Sequence, residues 1–537
     1  MKKKFFNTKS IFTASLAILS LGLILISGGC FKLDEEVYDE VTEETFTATQ
    51  SDIVALMASG YTPLRYIMDW YGYFDVQEEP GDVIVTPTRP NGWDDGGDYK
   101  RMHFHTWDNV QGQPSTTWST AYEAINNINR VMLQINDGSL PVTEDQALAI
   151  NSELRALRAL WYSILCDTHG NIPLVITYSD EVPTQKTRIE VYNFIVSELI
   201  EVIPNLPANV DKTTYGRMTQ WAAWQLLARM YLNANVYKGS AEWTKCIEAC
   251  NKIIDSDLYI LEPDYRNPFK VKNENSKEIV FSVPYDYTYN PSGFRWSAHM
   301  KQLLPNHRYV FNMTAQPWGG SSANPQFINS YDPDDKRFDA TWLHGDQISA
   351  IDGSVVMTLV NKMPSIYGCE FEEGFRLCKY EIEIGCQNKM SNDLPYFRYT
   401  DVLMMKAECL LRTGKSDEAA AIVTTVRERA FDDPDKAKVT GAELEGNTTI
   451  HYGTLDENGN IDDPGDQTPV QYGRFLDELG WEFAAEFRRR MDMIRFGVYQ
   501  TKSWYNHTPQ GPHTILFPIN MEELNNNPNL KQNPGYN

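Results

Sequence analysis

The 537-residue sequence predicts a mainly α protein: a tetratricopeptide-like helical-repeat scaffold with long, irregular, loop-rich insertions carrying a few short strands. Three observations predict it. Apolar residues recur at three- and four-residue spacing through much of the first half. Two widely separated helix pairs share one plan, a small residue and a leucine or aromatic, a turn, then Glu-Ala. Between those pairs lies a long stretch rich in Pro, Gly, Asn, Tyr and Trp with few helical stripes.

The N-terminus is set apart from the fold. Lys2, Lys3 and Lys4 precede a mostly apolar, uncharged run from Ile11 to Ile26, shorter than the roughly twenty residues a helix needs to cross a bilayer. Cys30 directly follows Ser27, Gly28 and Gly29, which resembles the lipobox of bacterial lipoproteins, although Ser27 stands where a branched apolar residue is usual. Residues 1–29 are therefore expected to be a signal peptide, with Cys30 the lipidated first residue of a single unit, 30–537. The signal holds four of the 48 basic residues and none of the 72 acidic ones, so the remainder carries a formal charge near −28, against −24 for the whole sequence. A chain this acidic is repelled by nucleic acid and by anionic lipid, so no nucleic-acid partner is expected and membrane attachment rests on Cys30.

The helices follow in order. Residues 118–135 put Trp118, Tyr122, Ile125, Ile128 and Met132 on one stripe, and residues 144–167 do the same with Leu154, Leu157, Trp161, Ile164 and Leu165 before Gly170 and Pro173. Helices at 187–203, 217–236 and 240–256 come next, the first stopped by Pro204. Residues 401–413 and 416–430 form a further pair joined at Gly414. There Ala407, Leu410 and Glu418-Ala419 fit the tetratricopeptide spacing, which Ala228, Tyr231 and Glu248-Ala249 match loosely. The unit thus divides into a helical part (30–256), a loop-rich insertion (257–395) and a helical part with a docked tail (396–537). Residues 70–114 share the insertion's aromatic, glycine-rich character, and 432–470 read as an exposed acidic excursion. Within that excursion Asp456, Asn458 and Asn460 imitate the opening of a calcium loop, but Ile461 and Gln467 stand where glycine and glutamate are needed. No metal or cofactor is expected.

Seven cysteines follow Cys30, an odd number without framework spacing. Cys246 and Cys250 read as buried small hydrophobes. Cys369, Cys378 and Cys386 leave open one disulfide.

Five segments now carry a resemblance: ELRALRALWYSILCDTHGNIPLV (153–175), YGRMTQWAAWQLLARMYLNANVYKG (215–239), FRYTDVLMMKAECLL (397–411), WEFAAEFRRRMDMIRFG (481–497) and LFPINMEELNNNPNLKQNPGY (516–536). In this order, and with the acidic residues Asp34, Glu35 and Glu36 after Cys30, they resemble the SusD-like (SusD/RagB) family of outer-membrane nutrient- and starch-binding lipoproteins. The resemblance implies a non-catalytic protein, anchored at the outer membrane and facing the exterior. Such a protein captures oligo- or polysaccharide and passes it to a SusC-like TonB-dependent outer-membrane barrel. Glu482, Glu486, Arg488, Arg489 and Arg490 read as a solvated or salt-bridged helix face, not an acid/base site.

A sugar ring has an apolar C–H face and an equator of hydroxyls, so its capture needs aromatic platforms flanked by hydrogen-bonding groups. Three loops supply both: residues 89–103 with Trp93, Asp94 and Asp95; residues 291–299 with Phe294, Arg295 and Trp296; and residues 313–324 with Trp318. In starch-binding members of the family an arc of three aromatics cradles the sugar chain. The resemblance therefore implies Trp93, Trp296 and Trp318 as that arc, with Phe294 beside it and Asp94, Asp95 and Arg295 bonding hydroxyls. Trp161, Trp221 and Trp224, on helical stripes, are expected in the core.

Two other classes stay open. A glycoside hydrolase needs two carboxylates about 5–9 Å apart, which composition does not exclude, and a repeat scaffold also suits a protein-binding adaptor. His-Glu-x-x-His, Gly-x-Ser-x-Gly and phosphate-binding loops are absent from the sequence, and His103 and His105 read as surface residues on a strand.

Overall fold

A computed structural model describes residues 49–90, 92–286 and 296–536; the expected signal peptide, Cys30, the acidic residues 34–36, Phe294 and Arg295 lie outside them. The repeat helices form where the periodicity places them: Gly112–Asn136, Glu144–Thr168, Arg188–Val202, Gln220–Leu232, Trp243–Ile254, Tyr399–Arg412 and Ser416–Arg427. Thr143 and Thr187 start two of them with reciprocal capping boxes to Gln146 and Glu190, devices worth about 1 kcal/mol each. Gly414 joins the last pair with φ +77°, the left-handed conformation that ends helices and that glycine adopts without strain.

The helices stack in sequence order, and Trp243–Ile254 packs against both Gln220–Leu232 and Tyr399–Arg412. The two hairpins are therefore neighbours in one stack, with the insertion looping out between them. Cys246 and Cys250 meet Cys409 at this junction, and burial pushes the Cys246 thiol well above its ordinary value. All seven cysteines of the described residues are free, so Cys369, Cys378 and Cys386 form no disulfide. Trp161 is fully buried, whereas Trp221 and Trp224 are only half-buried.

The insertion leaves and re-enters the frame through one buried antiparallel ribbon, Ile279–Val283 paired with Leu394–Arg398. A second short pairing sets Ile84 opposite Ala323 and Val85 opposite Ser322. It ties the aromatic segment near residue 70 to the middle of the insertion, and so brings two of the predicted binding loops together.

The charges at 482–490 are salt-bridged and buried, so the solvated alternative does not hold. Arg398 reaches Glu278 at 2.9 Å, Glu482 at 2.9 Å and Glu486 at 2.6 Å, and Arg429 reaches Glu278 at 2.7 Å and Glu482 at 2.6 Å. Burial works to raise the Glu482 carboxyl, but Arg429, Arg398 and Arg337 overcome it and bring it down to about 2. Each arginine here is matched by carboxylates, the condition under which buried charge is tolerated. The Asp456 carboxylate accepts from the backbone N–H of Asn458 and Asn460, both at 2.9 Å, closing a hairpin turn between Gly453–Leu455 and Ile461–Asp463. Among the described residues no helix is long and apolar enough to cross a membrane.

Candidate binding site

Trp93 and Trp318 come together, and Trp70 joins them. The three indoles line an open cavity of about 510 Å³ together with Tyr71, Tyr99, Asp94, Asp95, Asp98 and Arg101. Trp70 stands edge-on to Trp318 at 5.0 Å and 69° between ring planes, and to Trp93 at 6.4 Å and 85°. Trp93 and Trp318 lie 6.5 Å apart, tilted by 33°. All three are half-buried, so each keeps surface for a ligand.

Short local bonds fix these rings. Asp95 accepts from the Trp93 indole N–H at 2.6 Å and from the Gly97 N–H at 2.8 Å, so this expected ligand contact instead holds the platform in place. Asp94 is exposed and, among the described residues, accepts only from the Gly96 N–H, at 3.2 Å. Trp318, Gly319 and Gly320 donate their backbone N–H groups to the carbonyls of Met300, Leu303 and Lys301 at 2.7, 2.8 and 2.6 Å, which straps the loop onto the buried helix Ala298–Gln302. A Cβ on Gly320 would lie 3.1 Å from the Trp93 ring and 2.9 Å from the Lys301 side chain, so glycine permits this close approach.

The floor is ionic and buried. Lys301 bonds Asp75 at 2.8 Å and Glu79 at 2.7 Å, all three being buried, and its ammonium lies 3.7 Å from the centre of the Tyr99 ring, whose hydroxyl donates to Asp75. Burial, followed by the Asp98 carboxylate, pushes the Tyr71 hydroxyl up to about 12, so it stays a neutral donor. Behind Trp70, Asp69 accepts from the N–H of Trp70 at 2.9 Å and from both the N–H and hydroxyl of Ser297; burial nevertheless raises it to about 7.

Trp296 does not belong to the arc. It is 1% exposed, wedged between Tyr285 at 6.0 Å and Tyr380 at 4.9 Å, and bridges by backbone to Met390. Its loop-like composition misled because the residues after it, Ala298–Gln302, are a helix buried under the cavity. Phe294 and Arg295 lie outside the described residues. Trp70, missed by sequence reasoning, sits in the aromatic run WYGYF, within a segment whose composition pointed to a binding loop. His103 and His105 are not on a surface strand: the first lies in the last turn of helix Asp98–Phe104 and the second caps it, both are buried, and burial holds each down at about 3. No group of three or more His, Cys, Asp or Glu side chains among the described residues is arranged to hold a metal.

With three half-exposed indole platforms and a rim of carboxylates and one guanidinium, the cavity suits a ligand with flat apolar faces and many hydroxyls. Two family profiles match the chain: "SusD family" over residues 259–514, and "Starch-binding associating with outer membrane" over residues 35–232. The starch-binding protein SusD of Bacteroides thetaiotaomicron is 26% identical over 446 residues, covering 74% of each chain. Surface glycan-binding protein A from Bacteroides uniformis superposes with TM-score 0.66 at 22% identity, over 90% of this chain and 99% of its own. A laminarin-binding SusD-like protein does so with TM-score 0.68 at 19% identity, over 91% and 100%. Identities this low establish a shared fold and leave the ligand to the site itself.

Proposed function

The chain belongs to the SusD family, and from that premise we propose that it is a cell-surface, glycan-binding lipoprotein. In this reading it is anchored through acylated Cys30 in the outer membrane, faces the exterior, and captures oligo- or polysaccharide by stacking on Trp70, Trp93 and Trp318. It passes the captured glycan to a SusC-like TonB-dependent barrel, and it breaks no bond. The observation that carries the reading is the open cavity walled by three half-exposed indoles with an oxygen-rich rim.

Trp93 stays oriented by Asp95, Asp94 offers a free carboxylate oxygen to sugar hydroxyls, and the Arg101 guanidinium lies on the rim, 39% exposed. Each platform contributes about 0.5–1.5 kcal/mol beyond burial, so a few of them give reversible capture, as a carrier must. Burial raises Asp69 and Glu78 to about 7 and also raises Glu79 beneath the floor; all three are buried and none lines the cavity, which favours a carrier over a hydrolase.

Affinity electrophoresis against a panel of polysaccharides, paired with a reducing-end assay, tests this. Retention without release is expected, weakened by Trp70→Ala, Trp93→Ala and Trp318→Ala. Release of reducing ends makes the protein a hydrolase, and absence of retention on every polysaccharide favours the adaptor. Cys30→Ser, followed by membrane fractionation, is expected to free the protein from the outer membrane.

A further inference from the structure

The charges around the cavity are one-sided, and most of them are already spent. Asp95 has both oxygens committed, one to the Trp93 indole and one to the Gly97 N–H. Asp98 accepts from Arg101 at 2.8 Å, from the Gln111 amide at 2.8 Å and from the Gln113 amide at 3.1 Å. Arg101, the one cation lining the cavity among the described residues, is in turn held by Asp98 and by Gln111 at 3.0 Å. Lys301 lies directly beneath but is 1% exposed and enclosed by Asp75, Glu79 and the Tyr99 ring, so its charge is consumed within the floor. Asp94 remains, exposed, with a single backbone donor on one oxygen and no cation beside it among the described residues. The three rim carboxylates against one guanidinium leave the mouth of the cavity negative, and low-dielectric indole walls focus that field into it.

Resting on the binding function proposed above, we infer that this cavity discriminates by charge: it prefers uncharged glycans to those bearing carboxylate or sulfate groups, with Asp94 the discriminating residue. Its free oxygen accepts from a neutral sugar's hydroxyl without cost, whereas an anionic substituent in the same place meets a like charge that has no counter-ion. Repulsion between unit charges about 7 Å apart near a wet surface is equivalent to roughly a three- to tenfold loss of affinity. It fades once the Debye length falls to about 3 Å, near 1 M salt.

The test compares one polymer in two charge states. Soluble starch, laminarin and galactomannan are screened by affinity electrophoresis and calorimetry, and each polymer retained is then measured again as its lightly carboxymethylated derivative. The neutral form is expected to bind roughly three- to tenfold more tightly at 20 mM ionic strength, with the ratio approaching one near 1 M. Steric exclusion by the substituent is unaffected by salt, so a ratio that persists there refutes the electrostatic assignment. In Asp94→Asn the ratio itself is expected to shrink at low salt; because it is measured within one variant, loss of folded protein cannot mimic the change. Equal or tighter binding of the carboxymethylated polymers, or an unchanged ratio in Asp94→Asn, overturns the inference while leaving glycan capture intact. Failure of every polymer, charged and neutral, to be retained removes the binding function on which it rests.

Discussion

Replacing Trp70 and Trp296 in parallel separates a platform from a core residue. Trp70→Ala removes one stacking face, worth about 0.5–1.5 kcal/mol. It also removes the ring that stands against Trp318 at 5.0 Å and Trp93 at 6.4 Å. Releasing those two indoles from a fixed orientation costs a further 0.5–1.5 kcal/mol or so when a ligand must order them again. Together this is about 1–3 kcal/mol, a rise in Kd of roughly five- to 150-fold. Trp296→Phe keeps an aromatic ring between Tyr285 and Tyr380, and no described residue accepts from the Trp296 indole N–H. Its cost is a small cavity, about 1 kcal/mol of folding stability. Calorimetry with whichever polysaccharide the parent retains reads the first effect, and urea unfolding reads the second. Parental affinity in Trp70→Ala refutes the platform assignment. Loss of affinity in a stable Trp296→Phe refutes the exclusion of Trp296 from the arc.

Arg398→Ala leaves Glu278, Glu482 and Glu486 buried without their shared partner, and urea unfolding is expected to show a loss of about 3–5 kcal/mol with glycan affinity of the folded fraction retained. Glu482 and Glu478 are held down at about 2. Their stabilising contribution is therefore complete above the ordinary glutamate value near 4.5 and lost as pH falls toward 2, which a thermal scan from pH 6 to pH 2 reads as a steep drop in Tm. Glu78 has the opposite sign: burial raises it to about 7, so its contribution is complete below about 4.5 and lost as pH rises through 7. Glu78→Gln is expected to flatten the decline in Tm between pH 5 and pH 8, and an unchanged slope there argues against an ionising buried Glu78. Thiol titration in denaturant without reductant is expected to count all seven cysteines that follow Cys30 as free; a count of five would mean a disulfide has formed.

The frame was legible because its determinants are local. Leu154, Leu157 and Trp161 recur with the helical period, Thr143 and Thr187 cap, Pro204 and Gly414 punctuate, and each of these acts within a few residues of itself. The site was half legible. Composition marked the loops around Trp93 and Trp318, but which ring faces solvent is decided by long-range pairing, such as Ile84 with Ala323, that leaves no periodic trace. Trp296 and Trp318 have similar neighbours in sequence. They part because Tyr285 and Tyr380 close over Trp296, whereas the loop of Trp318 is strapped by its backbone to the carbonyls of Met300, Lys301 and Leu303 and keeps its ring at the surface. His103 and His105 misled for a related reason: alternation over three residues cannot distinguish a strand from the end of a short helix, and their burial follows from what packs on them from Tyr499, Trp504 and His507.

The cavity's rigidity comes from polar groups that never touch its contents. Exposed indoles on mobile loops would collapse onto one another in water, and binding would then have to pull them apart before any stacking was gained. Here Trp318 is strapped by three backbone bonds to the helix that carries Lys301, Lys301 is locked by Asp75 and Glu79, and Asp75 also accepts from the Tyr71 N–H at 2.6 Å, one residue beyond Trp70. One buried ion cluster thus anchors two platforms drawn from segments more than two hundred residues apart, and Asp95 holds the third from its own loop. Because Trp70 is already set edge-on to Trp93 and Trp318, a ligand gains stacking without paying to order the rings, yet three indole platforms are on offer among the described residues. That combination gives ready capture with limited affinity, which suits a protein that must hold a glycan and then let it go.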